Sequence, residues 1–118
     1  MLITTKETDE YYFEEGCYIL ELSNSECDDA VSIARARVEA GQCTKWHSLI
    51  DTVERYVIVS GSGRVEVGQE EAKIVNTGDV VLISAGLRQR IHNTGDEDLV
   101  FMAICTPRFL KENYRSLE

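Results

Sequence analysis

Apolar and polar side chains alternate in short stretches bounded by turn residues, and no window keeps a helical period for more than about ten residues. That alternation predicts an all-β chain. Strands are expected over Cys17–Leu22, Val31–Val38, Thr44–Leu49, Val53–Ser60, Gly63–Val67, Glu71–Val75, Val80–Ile83, Gln89–Asn93 and Leu99–Cys105. Between them lie Ser60-Gly-Ser-Gly63, Gly68-Gln-Glu, Asn76-Thr-Gly-Asp79 and Asn93-Thr-Gly-Asp96, residues that tolerate positive φ or bond their own backbone. Short strands at this spacing argue for a sandwich or barrel. Pro107 closes the last strand, and 108–118 forms a charged tail with room for one helical turn. With 118 residues and no linker or repeat, residues 1–118 are expected to form a single domain.

Charge narrows the partners. Twenty-one acidic residues against 12 basic ones leave a net charge of −9, which repels phosphate backbones and anionic headgroups, so neither nucleic acid nor a membrane surface is an expected partner. No apolar run approaches the roughly 18 to 20 residues of a membrane span, and the N-terminus lacks the basic and apolar regions of a secretory signal; a cytoplasmic protein is expected. Cys17, Cys27, Cys43 and Cys105 lack the short paired spacings of a zinc knuckle or redox motif and are read as free thiols, with Cys17, Cys43 and Cys105 buried as small hydrophobes.

Two glycine-punctuated segments carry the functional signal. From Gly41, five residues lead to His47, and Leu49, Glu54 and Gly61 follow; from Gly78, the second segment runs through Ser84, Gly86 and Gln89 to Asn93. These segments, 41–61 and 78–93, resemble the two signature motifs of the cupin superfamily. The first motif there reads Gly, five residues, His, one, His, three or four, Glu, six, Gly. The second reads Gly, five, Pro, one, Gly, two, His, three, Asn. Leu49 and Gln89 stand in place of histidines and Ser84 in place of the proline. The resemblance implies a single-domain cupin, a double-stranded β-helix or jelly-roll barrel of two packed antiparallel sheets. It also implies a homodimer, whose edge cover the aromatic segment from Glu10 to Leu22 could supply.

Side chains two apart on a strand share a face. If His47 points into the barrel, Lys45 and Leu49 lean with it while Trp46 and Ser48 point outward; Glu54, Tyr56 and Ile58 share the interior, as do Gln89, Ile91 and Asn93. His92 falls on the opposite face with Arg88 and Arg90, which excludes it as the replacement ligand. His47, Glu54 and Gln89 are therefore the candidate ligands of the divalent metal that the resemblance implies, with Mn²⁺, Fe²⁺, Ni²⁺ or Zn²⁺ suited to one nitrogen and two oxygens. Leu49 removes a ligand and adds apolar wall. Asn93 is expected to tie down its own turn.

Other candidates are less specific. Tyr56 is a candidate proton donor or a core aromatic. Arg35 and Arg37 share a face with Ile33, and one of them could reach a ligand in the barrel mouth; the alternative is a solvated face whose arginines pair with nearby acids. Leu49 and Tyr56 complete the candidate substrate contacts. The leading functional expectation is Lewis-acid catalysis on a small polar metabolite such as a sugar, sugar-phosphate or keto/hydroxy acid. A metabolite-binding or sensing barrel that has lost its metal is the second expectation, and a structural or interaction barrel filled by its own side chains the third.

Overall fold

The computed structural model describes residues 1–118. Eleven strands form: β1 (Tyr11–Phe13), β2 (Cys17–Ser23), β3 (Ser32–Val38), β4 (His47–Leu49), β5 (Val53–Ser60), β6 (Ser62–Val67), β7 (Lys73–Asn76), β8 (Val80–Ile83), β9 (Gln89–Asn93), β10 (Leu99–Thr106) and β11 (Tyr114–Ser116). They build two antiparallel sheets, one in the order β1-β2-β3-β10-β5-β8 and the other β11-β4-β9-β6-β7. The sheets pack face to face as a jelly roll. No helix is long and apolar enough to cross a membrane.

Alternation places one face of each strand inside. Tyr56 and Ile58 of β5, Val65 and Val67 of β6, Ile91 of β9 and Leu99 and Phe101 of β10 interlock in the main core. Val38, Ile91 and Leu99 have no exposed surface, and each such aliphatic side chain contributes about 1.5–3 kcal/mol by leaving water. The β5–β6 connection needs its glycine, because Gly61 takes φ +85° and a Cβ there would lie 2.7 Å from the Asp98 carbonyl oxygen. Asn93 secures its turn: its Oδ1 accepts from the Gly95 amide at 2.9 Å, while Nδ2 donates to the carbonyls of Val38 at 2.9 Å and Glu97 at 2.7 Å.

The ends of the chain differ from the expectation. The strand expected over Thr44–Leu49 is shorter, so its parity stops at His47: Lys45 is exposed rather than interior, and Ser48 is buried because β11 pairs over β4. Cys43, expected to be buried, is exposed, whereas Cys17 and Cys105 are buried thiols. Beyond Pro107 the tail makes a single 3-10 turn over Lys111–Asn113 and then enters β11. The aromatic N-terminal segment covers its own sheet edge within the chain, β1 pairing with β2.

Candidate active site

Small residues open a hollow against the inner face of the six-stranded sheet. In register across β2, β3 and β10 lie Glu21, Ala34 and Ala103, and in the next row Ser32, Cys105 and Glu54 of β3, β10 and β5. Two alanines and a serine leave space that the core row beyond, carrying Ile19, Phe101 and Ile58, fills. The hollow measures about 50 Å³, room for a few waters or the reacting end of a small molecule. Tyr11, Phe13 and Phe109 line it as well, and Glu15 reaches it from the turn between β1 and β2.

Glu15 is held by backbone as well as side chain. Gly16, at φ +105°, closes the turn by donating to the Phe13 carbonyl at 2.9 Å, and the Glu15 carbonyl accepts from the Lys45 amide at 2.7 Å. The Lys45 carbonyl, in turn, lies 2.6 Å from Nδ1 of His47. A carbonyl only accepts, so Nδ1 carries the hydrogen and Nε2 is left with its lone pair. That lone pair faces Oε2 of Glu15 at 3.1 Å. A proton must lie in this contact.

Burial decides where it rests. Desolvation, with the charge of Glu14 added, pushes the Glu15 carboxyl up to about 8, while desolvation lowers the basicity of His47, which is 2% exposed. The neutral imidazole thus accepts from a carboxylic acid. Tyr114 of β11 stacks on the ring at 5.5 Å and 23°, and Phe13 meets Tyr114 edge-on at 5.1 Å, so water is kept from the imidazole.

Glu54 forms the other side. It is 8% exposed; its Oε2 accepts from the Cys105 thiol at 3.6 Å, while Oε1 is buried without any partner. Desolvation, followed by the charge of Glu15, raises its carboxyl to about 7. The neighbouring Gln89 amide and His47 pull it back only partly. Burial likewise pushes the thiols of Cys17 and Cys105 upward, so both stay protonated.

The remaining sequence candidates fall elsewhere. His47 and Gln89 are register partners on β4 and β9, but neither lines the hollow; His47 sits behind Glu15. The Gln89 carbonyl oxygen accepts from the Tyr56 hydroxyl, and burial holds the Tyr56 proton far above the usual phenol range. Leu49 packs with Cys105 and Tyr114 in a small apolar cluster. Arg35 and Arg37 point away from the hollow because β3 turns its small residues inward. Arg35 pairs with Glu7 at 2.6 Å and Arg37 with Glu10 at 2.7 Å, and Arg37 stacks on Tyr18 at 4.2 Å. They clamp the N-terminal segment to the outside of the sheet. His92 is on the outer face, as the parity expects.

No group of three His, Cys, Asp or Glu side chains converges as a metal site, and of the three candidate ligands the Gln89 oxygen is engaged by Tyr56. The residues that the motif spacing missed are Glu15 and Tyr114. Glu15 lies outside both motifs, with only the Phe13-Glu-Glu-Gly16 turn to mark it, and Tyr114 lies in the tail.

A jelly roll of two antiparallel sheets defines a class of barrel proteins, and sequence comparison places the chain within that class. Residues 34–105 match the cupin domain model, and the chain belongs to the cupin family. No curated protein matches the sequence. Among solved structures it is similar to an uncharacterized protein with a double-stranded β-helix domain from Klebsiella pneumoniae, with a TM-score of 0.79, 14% identity and coverage of 100% of this chain and 98% of that one. A predicted oxalate decarboxylase from Thermotoga maritima aligns with a TM-score of 0.79 at 23% identity over 91% of this chain and 99% of that one. The Streptomyces nucleoside dehydratase Pac13 aligns with a TM-score of 0.80 at 16% identity over 100% and 92%. At these identities the likeness speaks to the fold.

Proposed function

We propose that this cupin is a proton-transfer enzyme acting on a small hydroxyl- or carbonyl-bearing molecule, with Glu15 and Glu54 as the two groups facing it. The observation that carries the reading is the unprotonated Nε2 of His47 held 3.1 Å from Glu15 Oε2, with Oε1 of the hollow-lining Glu54 buried and unpartnered. Two carboxyls raised to about 8 and about 7 share one proton in the interval between those values. Such a pair takes a proton at one face of a bound molecule and returns one at the other, the chemistry of a dehydration or an isomerisation. His47 works through Glu15. When one Glu15 oxygen receives a proton, the other passes its own to Nε2, and the Lys45 carbonyl stabilises the resulting imidazolium. The nucleoside dehydratase among the similar structures supports an eliminating reaction on this barrel.

Carboxyl-selective ¹³C NMR titration tests the pair. Two resonances should titrate between about pH 7 and 8; Glu15→Gln should remove one and lower the other, and Glu54→Gln should do the converse. If every glutamate titrates below about pH 5, the reading fails. Incubation with small hydroxy and oxo compounds in D₂O should then place deuterium on carbon, roughly 10²–10⁴-fold more slowly in either variant.

A further inference from the structure

We infer that the molecule bound in the hollow is an organic cation, one that presents an ammonium group to Glu54. This inference rests on the hollow described above as the substrate site and names the charge of its occupant.

Three carboxyl side chains, Glu15, Glu21 and Glu54, line the hollow, and no lysine or arginine does. The basic residues nearest in sequence, Arg35 and Arg37, are committed to Glu7 and Glu10 on the other face of the sheet. An anionic metabolite would therefore enter a negative, partly desolvated space with no counter-charge, which is strongly unfavourable. A phosphate- or carboxylate-bearing substrate is the wrong charge for this wall.

Independently of that acidic lining, Oε1 of Glu54 is buried without a hydrogen-bond partner on a side chain only 8% exposed that lines the hollow. A buried acceptor left bare costs about 1–3 kcal/mol, and an ammonium N–H removes that cost with a charge-assisted bond. Tyr11, Phe13 and Phe109 are also among the lining residues, and aromatic neighbours favour a cation over a neutral alcohol. A bare divalent ion fits less well, because it needs several convergent donors and the side chains offer no such group. An ammonium needs one acceptor and its surrounding field.

Three probes of nearly equal size separate the possibilities: ethanolamine, ethylene glycol and glycolate, each titrated at pH 7.5 while the Glu54 carboxyl resonance and the unfolding temperature are followed. Ethanolamine should bind at least about tenfold more tightly than ethylene glycol, with glycolate weakest, and Glu54→Gln should bring ethanolamine and ethylene glycol within about twofold. Glu21→Gln, which leaves Glu15 and Glu54 intact, should weaken ethanolamine and leave ethylene glycol unchanged. Equal or tighter binding of ethylene glycol or glycolate overturns the inference. So does a response confined to Mn²⁺ or Zn²⁺. Failure here is distinct from failure of the proton-transfer reading: glycolate preference with both carboxyls titrating near 7–8 sinks only the cation, while ethanolamine binding with every carboxyl titrating below about 5 sinks only the proton-sharing pair.

Discussion

At the scale of single residues, the decisive contact joins a motif residue to one outside any motif. His47 supplies a lone pair whose direction the Lys45 carbonyl sets, and Glu15 supplies the carboxyl that uses it. His47→Gln keeps an acceptor opposite Glu15 and should preserve folding, yet it cannot take up a proton. Turnover should fall roughly 10²–10⁴-fold while the limb near 8, which belongs to Glu15, is retained, measured against the parent on whichever compound exchanges deuterium. A residue that merely packed would lower the unfolding temperature and leave the turnover of the folded molecules unchanged. The inward placement of Glu54 and His47 was legible from glycine and His-Glu spacing, because a strand's parity follows directly from residue number. Glu15 was not legible: its approach to His47 depends on how the hairpin turn docks on the start of β4.

At the scale of elements, both ends of the chain close on the site. The β1–β2 hairpin brings Tyr11, Phe13 and Glu15, and the segment after Pro107 brings Phe109 and Tyr114. Tyr114 covers the imidazole of His47 and packs with Leu49 and Cys105. Tyr114→Ala should destabilise the fold by about 2–4 kcal/mol and admit water to His47. The imidazole pKa should then climb back toward its ordinary value near 6.5, which imidazole NMR titration reads. Tyr114→Phe should change neither quantity. The tail read from sequence as a charged end with one helical turn does contain that turn, but β11 follows it, since Tyr114 finds an apolar seat that tail composition alone does not reveal.

At the scale of the whole molecule, titration of the buried and exposed acids gives stability a definite pH dependence. Glu15 and Glu54 ionise near 4.5 in the unfolded chain but near 8 and 7 in the folded one. Between those values the folded state binds more protons, so stability falls as pH rises. Glu7, Glu10 and Glu66 are held below 4.5 by Arg35, Arg37 and Arg90, so their smaller contribution is present above 4.5 and lost on acidification. The unfolding temperature should peak near pH 5 and decline toward pH 8. Glu54→Gln should flatten that decline and raise stability at pH 8 by about 1–3 kcal/mol, as chemical denaturation at several pH values would show. The proposed proton transfer and stability are therefore opposed at this residue.

The strand periodicity and motif spacing were sufficient for the all-β class, the two-sheet barrel, the inward faces of β5 and β9, and the outward face of His92. Those properties follow from the two-residue repeat of a strand and from glycines at fixed intervals, which are local. Only tertiary structure decided that Arg35 and Arg37 serve as an outer clamp, that Tyr56 occupies the Gln89 oxygen, and that Glu15 stands between His47 and the hollow. Each of these depends on which partner reaches a polar atom first, and hydrogen bonds and ion pairs are won by three-dimensional proximity that spacing along the chain does not encode.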